Sequence, residues 1–183
     1  MNTNIARPAH GDYQSYFEPY IHLVEEGDYY AQLEQNTQQI KDYFSPLNDA
    51  ELGYAYGPDK WTRKQVLQHI LDVERVMLNR AFVASKLDNI TNLTPMKDWQ
   101  YVSNSNCENR SVAELLEELS VLRQLTRITF QSLNATQWDF KANNNGHPIT
   151  ARALALIILG HAKHHLGILI NVYHPHEAAA GQA

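Results

Sequence analysis

Four stretches of this sequence place apolar residues in steps of three and four, and that spacing decides most of what the chain can fold into. Such steps return to one face of an α-helix, so each stretch is expected to bury one stripe against a partner. The first seam is Tyr30, Leu33, Thr37, Ile40 and Phe44, closed by Pro46. The second follows Thr62, a good N-cap, with Val66, Leu67, Ile70, Val73, Met77 and Ala81. The third opens on Ser111 and Glu114, spaced as a capping box, and continues Leu115, Leu119, Leu122 and Leu125. The fourth opens at Thr150 and runs Leu154, Ile158, His161, His165, Ile168 and Val172. No comparable stretch alternates with period two, so strands are expected to be absent or trivial. The fold class is therefore all-α, a four-helix bundle formed by one domain over 1–183.

The joint between the second and third helices, Ser85 to Arg110, is long and rich in Asn, Thr and Ser. A connection of that length can cross the bundle end to end and set the two helices parallel. Trp99 and Tyr101 within it are placed to fold over one end as a lid. Asn143 to Pro148 reads as a turn, and the Ala/Gly tail over 176–183 as irregular.

A net charge of −5 without any Lys/Arg run argues against nucleic-acid or anionic-membrane binding. A single cysteine, Cys107, excludes an internal disulfide and a cysteine-based zinc site. Met1 to His10 carries no apolar signal core, and the greasy run Ala153 to Leu159 is too short to cross a bilayer. The expected location is cytoplasmic.

Histidine is over-represented, with nine in the chain, and three fall between His161 and His165. Residues four apart on a helix sit about 40° around and about 6 Å along the axis, so His161 and His165 project side by side. Both occupy seam positions and are expected to point into the bundle. Buried without partners, each unsatisfied group would cost about 1–3 kcal/mol, which a shared metal ion or internal hydrogen bonds would relieve. His69, at the margin of the second seam, is the candidate ligand from a facing helix. Two seam histidines plus a third form the donor set of an open, catalytic type of site. Asp72, one turn beyond His69, is a candidate to hold a ligand N–H or to move protons. Glu74 and Arg75 read as an exposed or bundle-edge ion network.

The stretch from Tyr56 through Trp61-Thr62 to His69-Ile70, the stretch from Ile149 to Leu154, and Gly160-His161-Ala162-Lys163-His164-His165 resemble the DinB-like superfamily of YfiT type. Tyr20 to Asp28 and Tyr101-Val102 extend the likeness over about 17–174. The resemblance implies an up-down-down-up bundle, often a homodimer, with zinc or nickel held by residues matching His69, His161 and His165. His164 matches an adjacent histidine that is not a ligand. Met96-Lys97-Asp98-Trp99 departs from the acidic run that relatives carry before the Tyr-Val pair.

Three activities are consistent with such a site. The first expectation is activation of a low-molecular-weight thiol for transfer to an electrophile, because no general base is evident beside the histidines. The second is hydrolysis by water activated on the metal, with Asp72 or a loop carboxylate moving protons. The third is a non-catalytic metal-binding stress protein.

Overall fold

The computed structural model describes residues 3–174, so the tail expected over 176–183 lies outside the described residues. The described helices are α1 Glu18–His22, α2 Tyr29–Phe44, α3 Asp49–Leu52, α4 Arg63–Ser85, α5 Asp98–Ser103, α6 Val112–Gln131, α7 Ala135–Asp139 and α8 Ala151–Ile168. The four long ones begin where side chains can satisfy the first free backbone N–H groups. Thr62 with Gln65 and Ser111 with Glu114 form reciprocal capping boxes, while Thr150 accepts from the Ala153 N–H. Asp28 accepts from the Tyr30 and Ala31 N–H groups and so starts α2. That start shifts the buried stripe of α2 to Tyr29, Leu33, Asn36, Ile40 and Phe44, leaving Tyr30 and Thr37 only half-buried.

Hydrogen bonds between helices fix their directions. Tyr29 Oη donates to the Ala155 carbonyl at 2.9 Å and Tyr43 Oη to the Leu169 carbonyl at 3.2 Å, so α2 and α8 run parallel. Arg63 Nε donates to Tyr43 Oη and Tyr173 Oη donates to the Trp61 carbonyl, which places the start of α4 at the end of both α2 and α8. Lys64 Nζ donates to the Glu108 carbonyl just before α6, and Gln137 Nε2 donates to the Ser85 carbonyl just after it. Hence α4 and α6 run parallel, and the bundle is up-down-down-up. The crossover between them contains α5 and is tied to the bundle by Arg80, whose guanidinium donates to the Thr94 carbonyl at 2.8 Å.

The expected turn at Asn143–Pro148 is the tip of a hairpin, β1 Ala142–Asn144 antiparallel to β2 His147–Ile149. Asn145 and Gly146 take φ of +54° and +83°, the conformation a two-residue hairpin turn requires. Its two three-residue strands fit the expectation that strands are absent or trivial.

The core has two apolar clusters. One gathers Val73, Met77 and the first half of α8 up to Leu159 around Phe17, Ile21 and Phe130. The other gathers Val66 to Leu71, Leu115 to Leu122 and α8 from Ala162 around Ile40 and Phe44. Along α8 the break between them falls at Gly160-His161; along α4 it falls between Leu71 and Val73. After Ile168, α8 continues as a π-helical turn, Leu169–Tyr173. Ala151–Tyr173 is long and apolar enough to cross a membrane, with mean hydropathy 1.6, but 67% of that window is buried inside the bundle, which accounts for its composition.

Two seam assignments need correction. Leu125 is 50% exposed, because α6 turns Leu115, Leu119, Leu122, Thr126 and Phe130 inward instead. Glu74 is buried, not at an edge: its carboxylate pairs with Arg123 at 3.0 Å and accepts from Thr126 Oγ1 at 2.7 Å. Arg75 does lie at the surface, paired with Glu118.

Candidate metal centre

The Thr62 cap sets the phase of α4 so that His69 turns inward two turns later, and the Thr150 cap does the same for His161 and His165 on α8. His69 and His161 are buried and His165 is half-buried. Nε2 of His161 lies 3.0 Å from Nε2 of His69. One candidate ligand nitrogen from each of the three rings lies within 4.8 Å of the others. The ring centroids are 4.8, 4.7 and 4.4 Å apart, with the planes at 63°, 81° and 63°. Three nitrogens around a tetrahedral zinc with bonds of about 2.0–2.1 Å lie roughly 3.3 Å from one another, so this cluster needs only small side-chain adjustment to accept an ion. The sequence-selected triad is therefore brought together from two antiparallel helices.

The electrostatics suit a metal as well. Burial lowers the pKa of His69 to about 4 and that of His165 to about 3, with neighbouring imidazoles pushing the same way. His161 is lowered well below its ordinary value by burial and by the same neighbours. All three are neutral near pH 7, the form that donates a lone pair. Among the described residues no fourth His, Cys, Asp or Glu joins them, so the donor set is of the open kind.

Aromatic rings hold the triad in place. The Trp61 ring lies 4.5 Å from the His69 ring and Trp99 of α5 lies 4.7 Å from Trp61. Of the two residues expected in a lid, Trp99 therefore reaches the triad through Trp61, while Tyr101 is 47% exposed and does not line the cavity beside the triad. Tyr20 of α1 meets His161 and His164 edge-on at 5.4 and 5.3 Å. His164 thus turns toward Tyr20 and stays outside the triad. Nδ1 of His69 is buried and has no hydrogen-bond partner, so its ring is positioned by packing on Trp61 and not by the acceptor expected for it. His10, His22, His147 and His174 lie outside the cluster.

Asp72 does not serve the site in the way expected. Its carboxylate accepts from Gln68 Nε2 at 2.8 Å and faces Arg75 at 3.8 Å, toward Glu118 of α6. The reason is rotational: three residues beyond His69 it stands about 60° away around α4, which turns it to the α6 side.

A cavity of about 390 Å³ opens from His69 and His161, lined further by Tyr20, Val73, Met77, Arg80, Met96 and Asp98. Asp98 is the one acidic residue on this wall among the described residues. It stands in the first turn of α5 with its surface largely exposed, and partial desolvation against the cavity wall raises its pKa. Sequence reading met Asp98 only as a departure from the family pattern, and Arg80 not at all. Arg80 follows His69 by eleven residues, close to three whole helical turns, and that spacing was the available signal.

No curated protein matches the chain. Among solved structures, YfiT from Bacillus subtilis, described as a probable metal-dependent hydrolase with an unusual four-helix bundle topology, matches with a TM-score of 0.68. It is 16% identical, over 88% of this chain and 88% of its own, a similarity of fold. The family model of the DinB superfamily matches residues 32–169, a span that holds all three histidines. The chain belongs to the DinB superfamily.

Proposed function

We propose that this protein is a metal-dependent hydrolase of small molecules, with a divalent ion, zinc or nickel, held by His69, His161 and His165. The observation that carries the reading is the convergence of three neutral, desolvated imidazoles, two of which, His69 and His161, line a cavity whose wall carries Asp98. YfiT, which shares the fold, is itself described as a probable metal-dependent hydrolase, and that description supports the choice.

When bound, such an ion supplies Lewis acidity and lowers the pKa of the nucleophile it holds. His69 and His165 donate from rings that burial keeps unprotonated, so no proton must leave them first. Trp61 and Tyr20 pack on the His69 and His161 rings and hold them in place. Asp98 accepts the proton released by the attacking nucleophile, and its raised pKa brings it nearer the working range of a general base. Thiol transfer was favoured by the lack of a base beside the histidines, and Asp98 on the wall of the same cavity is the candidate base for the hydrolytic reading.

The test is hydrolysis of chromogenic esters by the zinc-loaded protein in thiol-free buffer. The expected result is turnover that Asp98→Asn lowers by about 10²–10⁴-fold. Turnover of an electrophile only after a thiol is added would replace this reading with thiol transfer.

A further inference from the structure

The far end of the cavity from the histidines holds a buried cation that nothing in the metal centre uses. Arg80 is 4% exposed and lines the cavity. Its guanidinium donates to the Thr94 carbonyl at 2.8 Å and approaches Met77 Sδ at 3.6 Å. Among the described residues no carboxylate pairs with it, and its titratable neighbours are the phenols of Tyr16 and Tyr101. The other two arginines with comparable burial are matched differently: Arg123 faces Glu74, and Arg63 donates to the Glu51 carbonyl and Tyr43. Asp98 shares the cavity wall with Arg80 but makes no ion pair with it. A buried charge ordinarily has a partner, because leaving water is costly.

The geometry relates this cation to the triad. Eleven residues at 100° each bring Arg80 back to within about 20° of His69 on α4, with about 16 Å of rise between their Cα atoms. Helical side chains lean toward the N-terminus, so Arg80 reaches back toward His69; its contact with Met77, three residues earlier, follows that direction. Val73 and Met77 form an apolar floor between the two. The α4 wall of the cavity therefore runs from His69 over Val73 and Met77 to a guanidinium with no carboxylate partner among the described residues, while Gln14, Asp98, Asn144 and Asn145 add polar groups to the other walls.

We propose that Arg80 binds a carboxylate on the substrate, so that the molecule turned over is an elongated organic acid whose reactive group lies at the histidine end. The proposal rests on reading this cavity as the substrate site. Thr94 and Met77 Sδ take two of the five N–H groups of the guanidinium, and a planar carboxylate fits a fork among the three that remain. The apolar floor accepts the hydrocarbon body, and the cavity's size suits a small molecule.

The probe is benzoate, with benzamide as its uncharged counterpart, titrated into the full-length ¹⁵N-labelled protein with and without zinc. The Arg80 Nε–H resonance, assigned by its loss in Arg80→Lys, is followed. Benzoate is expected to shift it with or without zinc and benzamide to leave it unmoved. Arg80→Gln, checked for folding by circular dichroism, is expected to bind benzoate at least about tenfold more weakly by calorimetry. Equal binding of the acid and the amide, or an Arg80 resonance unmoved at saturating benzoate, overturns the proposal even if Arg80→Gln does not fold. Because ester turnover plays no part in the readout, failure here is distinct from failure of the hydrolase reading.

Discussion

At the scale of single residues, the site depends on keeping three imidazoles uncharged in a place water barely reaches. Protons would compete with a metal below about pH 6.5 for ordinary histidines. Burial moves that competition down toward pH 4 for His69 and pH 3 for His165. The same shift makes the metal-free fold acid-sensitive. Each folded pKa lies below the unfolded value, so between the two the unfolded chain binds more protons. Their contribution to stability is complete above about pH 6.5 and is lost as pH falls through the window toward the folded values. Urea midpoints of the metal-free protein should therefore fall between pH 7 and pH 5. His161→Gln should fall less steeply, because one of the three differential protons is gone. Parallel slopes would show that His161 titrates alike in both states.

At the scale of helices, the close approach of α1 to α8 decides how the site is covered. A Cβ on Gly160 would stand 1.9 Å from the Tyr20 carbonyl oxygen, a backbone atom that cannot swing aside. Gly160→Ala should force α1 away, costing at least about 1–3 kcal/mol in urea unfolding and taking the Tyr20 ring off His161. Gly167→Ala, on the same helix with nothing within 4 Å, should be neutral or stabilise by up to about 1 kcal/mol. A similar loss in both variants would mean that the close approach to the Tyr20 carbonyl is not what makes Gly160 necessary. Helix starts were legible in the sequence because Thr62, Ser111 and Thr150 each place an oxygen over free N–H groups. The short helices α1, α3, α5 and α7 were not, since four to six residues are too few to show a period. Asp98 escaped as a site residue for that reason: α5 reaches the cavity only when the crossover folds back.

At the scale of the whole molecule, the bundle encloses a second polar group, Glu74 with Arg123, Thr126 and Asn36. The sequence hid it because α4 carries two adjacent seams. Val66, Ile70, Val73 and Met77 form one, while Leu67, Leu71, Glu74 and Leu78 form the other toward α6, all buried. A carboxylate on the second seam reads as surface charge unless its partner three helical turns along α6 is known. Removing one partner leaves an unpaired buried charge, so Glu74→Ala should lose about 3–5 kcal/mol. Glu74→Leu with Arg123→Met should recover part of that loss, and a double variant as unstable as Glu74→Ala would contradict it. His161 and His165 were legible because seam position and helical spacing both marked them, whereas His69, at a seam margin, needed the family resemblance; the fold brings all three together where the two apolar clusters part. Elemental analysis of the purified protein beside His165→Ala tests that centre most directly. About one divalent ion per chain in the wild type and a marked loss in the variant is the predicted result; equal metal content in the two would contradict it.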